Sequence, residues 1–215
     1  VSEHDFEPIR GLPADLPEGE EILWQGAPDA RLLAEQAFHI RAVAAYFGLM
    51  LLWRAGEGLV SGEAAGTILI RLAGVAPLAL AGLAVLAFLA WLNARTTVYT
   101  ITNRRVVLRF GAAFTKAINL PFTVLEDASL ETLPGGGGNL ALKLKAPNKI
   151  ALLMLWPHAR PWRLAAPEPT LRAVRDAEAA AQVLSQVMRR PSGAAARPAP
   201  PQAQLDLVAG QARAA

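Results

Sequence analysis

The chain has 215 residues, room for one ordinary domain or two small ones. Hydrophobic residues make up 53% and charged residues 18%, and mean hydropathy is +0.29, a balance that leans towards a membrane protein with a soluble part. Cysteine is absent, which removes disulfides, thiolate metal sites and cysteine nucleophiles; three histidines (His4, His39, His158) leave little material for a His-rich metal site.

The net charge of +3 conceals an asymmetry. Residues 1–30 carry eight acids against the single base Arg10, whereas residues 95–163 carry ten bases against Glu126, Asp127 and Glu131. Basic segments beside a membrane span more often face anionic lipid than nucleic acid, so no nucleic-acid partner is expected. The N-terminus is acidic and has no early apolar core, so no secretory leader is expected within it.

A first apolar stretch, Ala42–Trp53, is short of a span by itself; extended to Phe38–Val60 it reaches 23 residues but includes His39, Arg41, Arg54 and Glu57. Snorkelling of the basic side chains lets it cross; the alternative is an amphipathic helix lying flat in the interface. Ser61–Ile70, with Gly62, Glu63 and Gly66, reads as a turn. Leu72–Leu92 is a run of 21 residues without a charge, about 30 Å as a helix, which matches the hydrocarbon thickness of a bilayer. Arg71 and Arg95 bracket it, Trp91 sits at its far end, and Pro77 is tolerable inside a spanning helix. Basic residues outside the two helices outnumber those of the charge-balanced loop, which places both termini in the cytoplasm.

From Thr96 the hydrophobic period becomes two. TTVYTIT and RVVLRFG are β-rich runs joined at Asn103-Arg104; KAINLPF and TVLEDASLETL continue the series. Gly135–Gly138 punctuates it and leads into NLALKLKA, so the glycines predict a hairpin connection and not a phosphate loop, which would open a helix. KIALLMLW predicts a strand buried on both faces, too short to cross as a helix. Leu171, Val174, Ala177, Ala181, Leu184 and Val187 recur at helical spacing, and Pro191 ends that helix. Residues 191–215 read as a disordered tail with a short helical turn at LDLVAG. The domain reading is an acidic segment (1–30), a transmembrane helical hairpin (31–95), a cytoplasmic domain (96–190) and the tail (191–215). The fold class is an α+β membrane protein; the strands fit a small antiparallel barrel or sandwich capped by the last helix, with a β-barrel the arrangement expected.

Two stretches carry a resemblance. GEEILWQGAPD (Gly19–Asp29) and TVYTITNRRVVLRFG (Thr97–Gly111) resemble the bacterial membrane-anchored PH-like proteins, in which a Gly-Glu…Leu-Trp-x-Gly-x-Pro segment precedes the spans and a Tyr-x-Ile/Leu-Thr-Asn-x-Arg strand opens the barrel. The extended start HDFEPIRGLPADLPEGEEILWQGAPD is similar to photosynthetic-complex assembly proteins of purple bacteria. The resemblance covers residues 4–190. It implies a non-enzymatic assembly factor for the photosynthetic reaction centre and its light-harvesting antenna, in the bacterial inner (intracytoplasmic) membrane. Reaction-centre or antenna subunits and a second copy are the implied partners. That family often has three spans, against two here. The other functional reading is a PH-like accessory protein, unrelated to photosynthesis, that binds anionic lipid or a transport partner.

Candidate residues follow from these readings. Trp24, Gly26 and Pro28 are candidate partner contacts, although Ile22-Leu23-Trp24 reads equally as an added strand. Gly74, Ala81 and Gly82 form a small-residue face on the second span, suited to close helix packing against a partner or against the hairpin's own first helix. Arg104, Arg105, Lys143 and Lys145 are candidates for lipid headgroups, against a solvated basic face. No resident cofactor or metal is expected. His39 is the residue available for transient contact with the magnesium of a bacteriochlorophyll, against a merely interfacial histidine. No acid–base pair or nucleophile set has usable spacing, so no enzyme is expected.

Overall fold

The computed structural model describes residues 11–12, 15–111, 115–146, 155–161 and 167–189. Strand β1 (Ile22–Gly26) is followed by three helices, α1 (Ala30–Gln36), α2 (Ile40–Val60) and α3 (Ala65–Thr96). Strands β2 (Val98–Thr102), β3 (Arg105–Phe110), β4 (Lys116–Pro121), β5 (Leu125–Thr132), β6 (Gly138–Leu144) and β7 (Thr170–Val174) come next, and helix α4 (Ala177–Arg189) closes the described chain. Strands β1-β2-β3-β4 make one antiparallel sheet and β5-β6-β7 another.

The side chains between the two sheets form the main core. Tyr99, Ile101, Val106 and Leu108 from the first face Leu140, Leu142 and Leu171 from the second. Helix α4 presents Ala177, Ala180, Leu184 and Val187, three or four apart, and covers the end of the sandwich where β1 and β2 approach β5 and β6. That helix occupies the gap which further strand pairing would have to bridge. A closed barrel is therefore replaced by two sheets, joined through the short turn Phe122–Val124 on one side. At the other side the isolated bridge between Pro28 and Val174 meets β7.

The two apolar helices stand apart from this core. By length α2 spans about 31 Å and α3 about 48 Å. Both are long and apolar enough to cross a membrane, and only 6% of each apolar window is buried within the protein. The turn between them is shorter than its Gly and Glu content predicts, since α3 already begins at Ala65. Helix α3 outruns α2, and its last turns, with Leu86, Leu89 and Ala90, pack on Leu32 and Leu33 of α1 and on Phe38. One residue after α3 ends, β2 begins. The hairpin is thus built into the domain rather than tethered to it.

Two other elements differ from the sequence reading. Helix α1, seven residues long, carries too little periodic signal to stand out. Leu171 and Val174 lie on a strand and not on the last helix: β7 is buried at all five positions and pairs with β6, for example Leu140 with Leu171. The helix-like spacing of 171, 174 and 177 arises by continuing a strand's buried face into the face of α4. Most of KIALLMLW and all of LDLVAG and the tail lie outside the described residues.

The first strand is supplied from the other side of the hairpin. Trp24, Gln25 and Gly26 pair with Ile101, Thr100 and Tyr99 of β2. A clamp at the far end of β2 locks this pairing. The Glu20 carboxylate, its side chain 2% exposed, accepts 2.8 Å hydrogen bonds from Thr102 Oγ1 and Arg105 Nε. Asn103 Nδ2 donates to the Gly19 carbonyl (2.9 Å), and Asn103 Oδ1 accepts from the Glu21 amide (3.2 Å). The two motifs that carry the sequence resemblance therefore meet in space as the halves of one structure. Glu20→Ala leaves the Arg105 guanidinium and the Thr102 hydroxyl without their shared acceptor. It is expected to cost about 2–3 kcal/mol of domain stability in chemical denaturation of the purified protein. A loss below about 0.5 kcal/mol, the level of an ordinary surface change, would show that the clamp is dispensable.

Candidate functional site

The junction between hairpin and domain holds the densest buried polar chemistry among the described residues. Arg172 on β7 is 7% exposed; its Nη2 donates to the Gln36 carbonyl at the end of α1 (3.0 Å) and its Nη1 to the Pro157 carbonyl (3.1 Å). Its Nε has no hydrogen-bond partner among the described residues. A cation at the C-terminus of a helix is well placed electrostatically. The Arg172 amide donates to Tyr99 Oη (3.2 Å), and Tyr99 Oη lies 2.7 Å from His158 Nδ1. His158 Nε2 is 3.3 Å from Thr97 Oγ1. These contacts fit the tautomer in which Nδ1 accepts from the tyrosine hydroxyl and Nε2–H donates to the threonine. Burial pushes the Tyr99 hydroxyl above its ordinary value, and burial together with the Arg172 charge pulls His158 down to about 3. Tyr99 and His158 are thus neutral bolts between β2, β7 and the segment around His158, beside the charged Arg172.

Asp29 is the second bolt. Its Oδ1 caps α1 by accepting from the Arg31 and Leu32 amides, both at 3.0 Å, and its Oδ2 pairs with Arg175 Nη2 at 2.6 Å. Its own amide donates to the Ala173 carbonyl (2.7 Å). Burial works to raise the Asp29 carboxyl, but the Leu32 amide and Arg175 outweigh it and hold the group below its ordinary value. Ala173 adopts a left-handed backbone (φ 54°), its amide held by Asn139 Oδ1. Gly135–Gly137 beside it all have positive φ and turn β5 into β6, as a hairpin. Neither the Arg172 bolt nor the Ala173 backbone leaves a sequence signal, because each depends on partners remote in the chain, such as Gln36 for Arg172 and Asn139 for Ala173.

The sequence-derived candidates fall into three places. Trp24, Gly26 and Pro28 work inside the fold. The Trp24 ring packs on the core and lies over Gly26, where a Cβ would strike it, and Pro28 is buried against Val174. Arg104, Arg105, Lys143 and Lys145 sit at the end of the sheets remote from the helices, about 17 Å along β2 from the end of α3. There Arg104 Nη2 donates to the Glu18 carbonyl, Arg105 pairs with Glu20, Lys143 with Glu126, and Lys145 with the Thr123 carbonyl. Gly82 faces Phe47 of α2, whereas a Cβ at Gly74 would meet none of the described residues within 4 Å and Ala81 is exposed. His39 caps α2 at a left-handed backbone (φ 50°), exposed and without a side-chain bond to the helix.

The profile of the bacterial PH domain family (bPH_2) matches residues 40–189, which take in the hairpin, strands β2 to β7 and α4. The chain belongs to this family. It is also 41% identical over 191 residues, 86% of this chain and 88% of the other, to an uncharacterized 23.7 kDa protein in the puhA 5' region of Rhodobacter capsulatus. No solved structure matches. The family match begins after β1, yet β1 is the edge strand of this PH domain's first sheet, so the described domain reaches beyond the matched residues.

The buried histidine gives the PH domain a defined acid response. His158 titrates near 6.5 when unfolded and at about 3 when folded. The unfolded state therefore binds the extra proton between those values, and stability is full above about pH 6.5 and falls as pH drops towards 3. The expected slope from this residue is about 1.4 kcal/mol per pH unit. Denaturation at pH 6 and pH 5 should show it in the native protein, and His158→Gln should flatten it; equal slopes would mean that the imidazole is not buried neutral.

Proposed function

We propose that the chain is a membrane-embedded, non-enzymatic assembly factor for the photosynthetic reaction centre and its light-harvesting antenna, of the PuhB type. The observation that carries this reading is the 41% identity, over nearly the whole of both chains, to a protein encoded in the puhA region, a location that goes with photosynthesis. The architecture supports it. Leu49, Leu52, Trp53, Leu78, Val85 and Phe88 are all exposed on the two long helices, a surface that water does not tolerate and a bilayer does. With the two long helices crossing a bilayer, the β1–β2 pairing supports a reading in which the N-terminal strand and the domain share one side of it. The excess of Arg and Lys outside the loop supports a cytoplasmic location for that side. The buried titratable groups serve structure, which favours holding and positioning over catalysis.

In the bilayer the domain is a fixed head on a hairpin whose outer face is open to nascent subunits or a second copy. Deleting the gene in a phototrophically grown purple bacterium is expected to lower reaction-centre absorbance several-fold, with restoration by the wild-type gene. Unchanged absorbance would favour the accessory-protein reading unrelated to photosynthesis. The two glycines of α3 separate the roles of its faces. Gly74→Leu, on the open face, is expected to reduce co-purification of photosynthetic subunits or a tagged second copy, while Gly82→Leu presses on Phe47 and acts on the hairpin itself. Equal partner yield from Gly74→Leu and the wild type would leave α3 as an anchor and move recognition to the PH domain.

A further inference from the structure

A cleft of about 630 Å³ opens at the junction, between α1, the start of α2 and the glycine turn before β6. Three guanidinium groups line it, those of Arg31, Arg41 and Arg175, with side chains 87%, 82% and 77% exposed. Two carboxylates line it as well, and they are not equivalent. Asp29 is committed to capping α1 and to Arg175, at 2.6 Å. Glu35 alone serves both Arg31 and Arg41, at 3.6 and 3.7 Å, ion-pair distances too long for hydrogen bonds. Two forked donors thus converge on one carboxylate and keep their hydrogen-bonding capacity, and the cleft carries one surplus positive charge.

The opposite wall is Pro134 and the three glycines Gly135–Gly137. Gly135 and Gly137 approach Leu32 so closely that a Cβ at either would touch its methyl groups, and a Cβ at Gly136 would meet nothing within 4 Å. The turn therefore keeps the cleft open next to the arginines. Its level along the hairpin is also informative. Arg41 is in the first turn of α2, where the apolar helix starts. On the neighbouring helix Arg95 lies over the Trp91 ring, 5.3 Å from its centroid, and Trp91 is 45% exposed. Trp156, 59% exposed, packs edge-on to Phe38 at the same junction. Exposed tryptophans and arginines at the end of apolar helices mark the headgroup region of a bilayer.

We infer that this cleft binds the phosphate group of an anionic phosphate ester, held by Arg31 and Arg41 as forked donors, with the headgroup of an anionic phospholipid beside α2 as the source its position favours. The phosphate displaces neither bolt: Asp29–Arg175 stays closed while Glu35 yields its two arginines to the ligand. The site differs from the basic residues at the remote end of the sheets, each of which already donates a hydrogen bond to a carboxylate or carbonyl of the protein. The lipid source rests on the hairpin lying in a bilayer; it is independent of any role in photosynthesis.

The test uses the full-length protein in neutral detergent, with short-chain phosphatidylglycerol, short-chain phosphatidylcholine and glycerol 1-phosphate as probes and the thermal midpoint as readout. Phosphatidylglycerol at about ten times its dissociation constant is expected to raise the midpoint by about 3 °C or more, and phosphatidylcholine to leave it unchanged. Arg31→Gln with Arg41→Gln is expected to weaken the response at least tenfold, through loss of two charge-assisted contacts. Glu35→Gln, which removes the competing carboxylate, is expected to strengthen it, an effect that misfolding cannot imitate. Lys143→Gln with Lys145→Gln should respond like the wild type. An equal response to glycerol 1-phosphate, lost in the double arginine variant, identifies a soluble phosphate ester as the source and needs no bilayer. A phosphatidylcholine response equal to that of phosphatidylglycerol, or a double arginine variant that binds as the wild type does, overturns the site.

Discussion

Everything else in the molecule depends on one pairing: strand β1, before the helical hairpin, hydrogen-bonds to strand β2, after it. Between Gly26 and Val98 the chain travels out along α2 and back along α3, and it must return to the place it left. Glu20 enforces that return, since its carboxylate is buried and its two hydrogen bonds are both to residues beyond the hairpin, Thr102 and Arg105. Breaking a largely buried pair of this kind costs more than forming it gains, because the surviving partner is left desolvated. The clamp therefore acts more strongly as a specifier of register than as a source of stability.

Closing a domain around the base of a hairpin has a mechanical consequence. Helix α3 passes into β2 across a single residue, and α1 wedges Leu32 and Leu33 against the last turns of α3. Arg172 then ties the end of α1 to β7, and Asp29 ties its beginning to Arg175. The helices cannot swing on a linker, since no linker is there. A head held at fixed orientation on the hairpin suits the proposed scaffold role. It also fixes the arginine-lined cleft at the start of α2.

Much of this was legible in the sequence, for physical reasons that can be named. The uncharged run Leu72–Leu92 has the length and apolarity of a span and forms most of α3, and the leucines of NLALKLK share the face of β6 that meets the core between the sheets. The glycine turn was readable because it precedes a strand. The short-range ambiguities were not: Leu171, Val174 and Ala177 suit a strand or a helix equally, and α1 has two turns and no repeating stripe. Long-range placement was less accessible still. Trp24, Gly26 and Pro28 carry a recognisable pattern, but only the sheet shows that the pattern serves packing. Arg104 and Lys143 are basic, but only the course of β2 and β6 shows that they lie at the end away from the helices and are already paired. Arg31 and Arg41, unremarkable in the chain, become a site because a helix of seven residues brings them to one carboxylate.

The central claim, one domain closed across a two-helix hairpin with both arms on the same side, can be tested by a single cross-link. Gln25 and Thr100 are opposite each other on β1 and β2, and their side chains already meet, with Gln25 Nε2 3.0 Å from Thr100 Oγ1. Directly opposed strand positions are within reach of a disulfide, and the chain has no cysteine of its own to confuse the result. Gln25→Cys with Thr100→Cys, in protein carrying a protease site in the loop at Gly62, is oxidised in native membranes and cut. The account predicts that the two halves migrate together without reductant and separate with it. Halves that separate under both conditions, in protein shown to be fully oxidisable by a flexible dithiol reagent, would contradict the pairing and with it the shared side of the membrane.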